Sequence, residues 1–228
     1  AIKCKRIMPE TYVAELRNAK VFGENDLIVC NRIALHDMLV CEYAEKMNFR
    51  KNIVKGIDWK EKKIEIRYHI PRHKTIEKGI FLGGNFSNSY YHFVVDILPK
   101  LYYVGEAEEF KDYPLLIDKR TYTCFREIID IFNVYHKDII CLKADVAYKV
   151  KNLVCTSHCA WYDRYMTGKF FGHIYDGNAL KFVRRHAMEY IKKYECKNSE
   201  QESKTSKIYV SRAKVADSRK RLVNEEEV

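Results

Sequence analysis

The first 80 residues carry short apolar and alternating runs that predict β-strands. Residues 11–16 (TYVAEL) and 27–30 (LIVC) are rich in apolar side chains, and residues 23–26 supply turn-forming side chains between them. Residues 62–70 (KKIEIRYHI) alternate polar and apolar positions, which is typical of a half-exposed strand. We therefore predict that residues 1–78 form a β-rich, antiparallel decoration of the first domain.

From residue 79 the pattern changes to strands that alternate with helices. A strand at 79–84 ends in glycines and precedes a helical segment, and the apolar residues of 121–133 recur at the spacing of an amphipathic helix. This order is that of a doubly wound α/β layer, so we predict a Rossmann-like domain over residues 79–196. Its other predicted elements are strands at 114–118, 138–142 and 147–155, an irregular crossing at 157–177, and a long helix at about 178–195.

The carboxyl-terminal residues predict the opening of another domain. Residues 197–206 are wholly polar, which indicates a linker or exposed loop. A short strand, KIYVSR, follows at 207–212. Because a complete domain normally needs roughly 100 residues or more, we predict that residues 207–228 are the incomplete start of a second Rossmann-like domain and that the chain is truncated.

Composition and charge narrow the classes of function. The chain has 228 residues, 47% of them hydrophobic, and a formal net charge of +10. Such an excess favours polyanionic partners: nucleic acid, nucleotide phosphates or an acidic membrane surface. No apolar run approaches the ~18 residues of a membrane span. The eight cysteines include no CxxC pair, and Cys155, His158 and Cys159 lack a second half-site, so we predict no metal and a reducing compartment.

A histidine and an aspartate interrupt the most apolar segment, residues 83–104. His92 and Asp96 are four residues apart and share a face of the predicted helix, which Pro99 should bend because it removes a backbone hydrogen bond. The helix follows a strand, at the end of the sheet where α/β folds bind ligands. Two interpretations stay open. The pair carries out acid–base chemistry, with Asp96 as base or as orienter of His92, or the two side chains satisfy each other in a partly polar core.

A basic loop, SRAKVADSRKR, follows the last predicted strand at 211–221. Guanidinium groups match phosphate oxygens, and a loop between a strand and a helix is a common phosphate site. Arg212 and Arg221 are therefore candidate phosphate ligands, and Asn224 is placed to cap the next helix. A solvated basic loop without a ligand is the alternative.

The segment YYHFVVDILPKL at 90–101 resembles the hallmark motif of glycosyltransferase family 61 (formerly DUF563), whose bacterial members serve capsular polysaccharide biosynthesis. Phe93 stands where the motif has tryptophan, Lys100 stands where it has arginine, and the family's later HGAG-containing segment is absent. Further blocks match in the same order and extend the resemblance over nearly the whole chain: residues 9–29, 113–118, 125–134 and 207–228.

The resemblance implies a GT-B-like architecture, in which two Rossmann-like domains face each other across a cleft. It implies inverting, metal-independent transfer of a sugar from a nucleotide sugar to a hydroxyl of a glycan or lipid-linked glycan, with no cofactor. The residues that it assigns are His92 and Asp96 to catalysis, Arg212, Arg221, Asn224 and Glu225 to the donor phosphates, and Asn85, Asn88 and Lys100 to the acceptor.

Two other classes of function stay open on the sequence alone. The missing donor half fits a non-catalytic, truncated remnant. The charge and the 17 tyrosines fit a basic nucleic-acid-binding module. Because the sequence has no RNP, KH, helix-turn-helix or zinc-finger pattern, we predict no nucleic-acid partner. We predict a cytoplasmic protein whose basic surface can hold it at the inner face of the cell membrane.

Overall fold

The structure is a computed structural model that describes residues 10–36, 53–58, 60–66, 72–84, 86–162 and 173–197. Contacts within the chain divide it into two units, Ala1–Tyr190 and Ile191–Val228. The first unit holds every described strand, and the described part of the second, residues 191–197, is helical. The predicted linker at 198–206 and the predicted second-domain segment at 207–228 lie outside the described residues.

The described residues contain three separate sheets. The largest has seven strands in the order β3-β2-β1-β9-β6-β7-β8, and β4–β5 and β10–β11 are two-stranded. The strands are β1 (Val13–Phe22), β2 (Ile28–Cys30), β3 (Ile33–Leu35), β4 (Val54–Asp58), β5 (Lys63–Ile66), β6 (Arg72–Phe81), β7 (Leu115–Asp118), β8 (Ile139–Leu142), β9 (Val146–Thr156), β10 (Ala160–Tyr162) and β11 (His173–Tyr175).

The seven-stranded sheet is mixed, and it confirms the predicted α/β class. Strands β9, β6, β7 and β8 are parallel neighbours, whereas β1 pairs with β9 and β2 in antiparallel register. The amino-terminal strands are therefore not a decoration, because β1 is an interior strand of the sheet, between β2 and β9. The apolar run at 11–16 indicated a strand correctly, but such a run does not reveal which strand is the partner. Part of the predicted irregular crossing is the β10–β11 pair.

The long strands β1, β6 and β9 curl back on themselves. The end of β1 lies opposite the start of β9, which in turn lies opposite the start of β6. A straight strand of ten residues would carry the end of β6 about 33 Å away from that point. Yet the amides of Glu24, just after β1, and Gly84, just after β6, donate to the two oxygens of the Asp118 carboxylate at 2.5 and 2.8 Å. The carboxyl end of β1 and the carboxyl end of β6 therefore both lie next to the carboxyl end of β7.

Each face of the curled sheet covers its own apolar core. The inner core joins Phe81 and Leu116 from the parallel part to Val21, Val146 and Tyr148 from the part that curls over them. The outer core packs the opposite face against the helices, and its buried residues include Ile80, Phe93, Leu115, Ile117, Ile129 and Phe182.

Three helical segments cover the outer core. Segment α1, residues 90–104, is made of four short pieces, and α2 (Thr123–Phe132) and α3 (Gly177–Lys197) are regular helices. Helices α2 and α3 lie at the predicted positions. Asp176 caps α3, because its Oδ1 accepts the amide hydrogens of Asn178 and Ala179 at 2.8 and 3.1 Å.

Candidate functional site

Asp118 anchors the carboxyl end of the parallel strands. It closes β7 with no exposed surface, and its carboxylate accepts the amides of Glu24 and Gly84. Burial raises the pKa of Asp118 to about 6, although these hydrogen bonds and one from Ser87 favour the carboxylate, and nearby Asp26 adds repulsion. One side chain thus fixes the loop after β6 and the turn after β1.

Arg120 holds the same loop from its other side. Its Nε donates to Ser87 Oγ at 3.2 Å, and one Nη donates to the carbonyl oxygen of Gly84 at 3.1 Å. The guanidinium also lies 3.5 Å from the carboxylate of Glu24, and both side chains are less than one-fifth exposed. The loop after β6, which contains Gly84 and Ser87, is therefore held by fixed polar contacts. A binding site needs such preorganisation.

The predicted pair, His92 and Asp96, is in direct contact. His92 Nδ1 lies 2.6 Å from Asp96 Oδ2, and 23% of the histidine side chain and 10% of the aspartate side chain are exposed. The pair is neither sealed in the core nor fully solvated. A partly dry position strengthens the interaction between the two groups and still leaves the imidazole accessible.

Irregular helical geometry places this pair. Tyr90–His92 forms an α-helical turn, Phe93–Ile97 a π-helical stretch, Leu98–Lys100 a 3-10 turn and Leu101–Val104 another α-helical turn. The amide of Leu98 donates to the carbonyl of Phe93, five residues earlier. The irregularity lies at the predicted position, because Pro99 has no N–H with which to continue α-helical bonding. Pi-helical stretches within helices often occur at functional sites.

Aromatic rings frame the imidazole. Phe86 stacks on His92 with ring centroids 4.5 Å apart and 22° between the planes, and Tyr91 meets it edge-on at 5.2 Å. The hydroxyl of Tyr91 bonds that of Tyr175 in β11. Burial, and then the contact with Tyr175, raise the pKa of Tyr91 above its ordinary value, so its hydroxyl stays protonated at neutral pH. The rings restrict how the imidazole can turn.

Two of the concave regions in the first unit are lined by residues of the candidate site or by their hydrogen-bond partners. One is an open cleft of about 510 Å³ lined by Glu24, Arg72, Lys119, Arg120, Lys143, Ala144 and Asp145, where the cations outnumber the carboxylates. The other is a more enclosed cavity of about 280 Å³, and Lys100 lies in its wall with only 4% of its surface exposed.

The structure tests the placement of only some of the predicted site residues. His92 and Asp96 are together, Asn88 is exposed in the loop before α1, and Lys100 is buried. Asn85 and the donor-side residues Arg212, Arg221, Asn224 and Glu225 lie outside the described residues. Their roles stay predictions.

Sequence reasoning missed Asp118 and Arg120. Their signal was present, since a charged run directly follows the buried apolar residues of β7. Polar residues at the carboxyl end of a parallel strand lie where such sheets bind ligands.

Comparison with known proteins identifies no relative: no family model, no curated protein and no solved structure matches the chain. The resemblance to glycosyltransferase family 61 therefore stays a prediction from the quoted motifs. Among the residues that the structure describes, no helix is both long and apolar enough to cross a membrane.

Proposed function

We propose that this chain belongs to a glycosyltransferase that moves a sugar from a nucleotide sugar to a hydroxyl acceptor, with inversion and without a metal. The observation that carries the proposal is the 2.6 Å contact between His92 Nδ1 and Asp96 Oδ2 in a half-buried position. An oriented imidazole at the carboxyl end of a parallel sheet suits removal of a hydroxyl proton.

In the proposed reaction His92 is the base and Asp96 orients it. Asp96 is the more buried of the two, and in the proposed reaction its carboxylate accepts Nδ1–H and Nε2 takes the proton of the acceptor hydroxyl. As that proton moves to Nε2, the acceptor oxygen forms a bond to the anomeric carbon of the sugar. The bond from that carbon to the diphosphate breaks, and the nucleoside diphosphate leaves with the electron pair.

The donor side of the proposal rests on the resemblance. Arg212 and Arg221 bind the diphosphate with bidentate hydrogen bonds, and Asn224 and Glu225 complete that wall. The GT-B resemblance assigns these residues to a second Rossmann-like domain. We place the reaction in the cytoplasm, at the inner face of the membrane, on a glycan or lipid-linked acceptor.

The test measures nucleoside diphosphate released from a panel of nucleotide sugars, with and without glycan acceptors, by the wild type and two variants. We expect His92→Ala and Asp96→Asn to lower turnover by about 100-fold or more, because general-base catalysis is typically worth that much. Asp130→Asn is the control, since it removes an exposed carboxylate from α2 and should leave turnover unchanged.

Two outcomes would contradict the proposal. Undiminished turnover in both variants would remove the pair from catalysis. Release from no donor, together with tight and steeply salt-dependent binding to random oligonucleotides, would favour the nucleic-acid-binding alternative.

A further inference from the structure

We propose that the 280 Å³ cavity beside Lys100 binds a small organic monocarboxylate. The cavity lies between the curled strands and α1, and its wall carries both polar and apolar side chains. Its polar side chains include Lys100, Thr156 and Asp26, and its apolar side chains include Leu16, Ile28 and Phe81.

Lys100 and the carboxylate of Asp26 both lie in the wall of the cavity, but the two side chains form no ion pair with each other. Lys100 is 96% buried, and among the described residues none forms an ion pair or a hydrogen bond with its ammonium group. A buried charge is strongly unfavourable unless another group pairs with it. A bound anion would supply the missing partner.

Thr156 adds a second unsatisfied group at the same cavity. This residue ends β9 and is 8% exposed, and its Oγ1 has no hydrogen-bond partner although it is fully shielded from solvent. Buried hydroxyls are normally hydrogen-bonded. Thr156 Oγ1 is shielded from the cavity itself, so Lys100 is the polar group that carries the proposal and Thr156 only lies in the same wall.

The wall selects the class of anion. The apolar side chains favour a ligand with a hydrocarbon body, and the volume holds about ten non-hydrogen atoms at roughly 30 Å³ each. Asp26 in the same wall repels a dianion, and a single ammonium group balances a single negative charge. A carboxylate on a small apolar body meets these conditions better than a phosphate.

The cavity lies apart from the proposed catalytic pair, although it includes Lys100, which the family resemblance assigns to the acceptor. Neither His92 nor Asp96 lines the cavity, although Lys100 follows Asp96 by four residues in α1. Binding can therefore be measured without any donor, and failure of one proposal leaves the other standing.

The first experiment measures binding of benzoate and cyclohexanecarboxylate to the full 228-residue chain by calorimetry. We expect dissociation constants on the order of 1 mM or tighter, and at least tenfold weaker binding of benzamide and inorganic phosphate. Lys100→Met keeps the volume and removes the charge, and should weaken benzoate binding at least tenfold. Lys149→Met, at an exposed position of β9, is the control and should bind as the wild type does.

A second measurement uses the wild type alone, so it does not depend on how a variant folds. Cys155 lines the cavity and is buried, whereas Cys124 is exposed outside it. Benzoate should slow the reaction of Cys155 with methyl methanethiosulfonate, followed by peptide mass spectrometry, and leave Cys124 unaffected. Unchanged labelling of Cys155 in saturating benzoate, equal binding by Lys100→Met, or equal binding of benzamide would overturn the proposal.

Discussion

Asp118 shows how one buried side chain can hold together segments that are far apart in the sequence. Its two oxygens accept amides from residues 94 and 34 positions earlier, and no part of it reaches solvent. Burial opposes ionisation, whereas the amide donors favour it, and burial is the larger effect. Between the two pKa values, the Asp118 carboxyl is therefore mostly protonated in the folded protein and mostly ionised in the unfolded chain.

This imbalance predicts a pH-dependent stability. In the folded state the pKa of Asp118 is about 6, against an ordinary value of 3.8, so the folded state binds more protons between these values and unfolding becomes easier as pH rises. Relative to Asp118→Asn, we expect the wild type to lose roughly 2 kcal/mol of unfolding free energy between pH 4 and 7. Urea unfolding of both proteins at several pH values measures this, and parallel pH profiles would contradict it.

The sequence predicted contacts between side chains correctly where the two residues are close together along the chain. His92 and Asp96 were predictable as a contacting pair because four residues separate them on one helical segment. Asp118 was not predictable as an anchor, because its partners depend on how distant strands curl. Its position at the end of an apolar strand indicates a possible site residue, but it does not predict Glu24 or Gly84 as its hydrogen-bond partners.

At the scale of elements, local signals located the helices well. The period of apolar residues located α2, and Pro99 located the irregular part of α1. The sequence did not predict a π-helical stretch, since its wider turn depends on packing of the whole segment. Asp176 belongs with the local signals, because a carboxylate just before a helix is a typical cap.

We expect Asp176→Ala to lower the unfolding free energy by about 1–3 kcal/mol, because the change removes the cap of α3 and the acceptor for the Tyr103 hydroxyl. Burial opposes ionisation of Asp176, but these hydrogen bonds outweigh it and hold its pKa below the ordinary value. The loss should therefore be complete at pH 7 and shrink in acid as the wild-type carboxylate is protonated. Denaturant unfolding measures it, and Asp130→Ala on the exposed side of α2 is the control. Equal stability of the two variants would argue against the cap.

At the scale of the whole sheet, the curl of β1, β6 and β9 determines where the site lies. Because of the curl, the carboxyl ends of β1 and β6 both lie at the carboxyl end of β7. Lys100, Thr156 and Asp26, in the turn after β1, line one cavity. The sequence predicted a doubly wound α/β layer, and the α/β class with parallel strand pairs is confirmed. It could not predict the curl, because side-chain alternation is the same in a flat strand and in a curled one.

The curl depends on close backbone contact at Gly23. This residue follows β1, and a Cβ added there would lie 2.6 Å from the carbonyl carbon of Lys143, just after β8. A backbone atom cannot move aside as a flexible side chain can, so we expect Gly23→Ala to cost roughly 1–3 kcal/mol of unfolding free energy. Gly56→Ala in β4 is the matched control, because its added Cβ would meet no atom within 4 Å and the change should be nearly neutral. If the added methyl group moves the turn after β1 away from β8, the hydrogen bond from the amide of Glu24 to Asp118 should lengthen. Hydrogen exchange at that amide should then be faster. Equal stability of the two alanine variants, with unchanged exchange at Glu24, would show that the turn after β1 does not pack against the residues after β8.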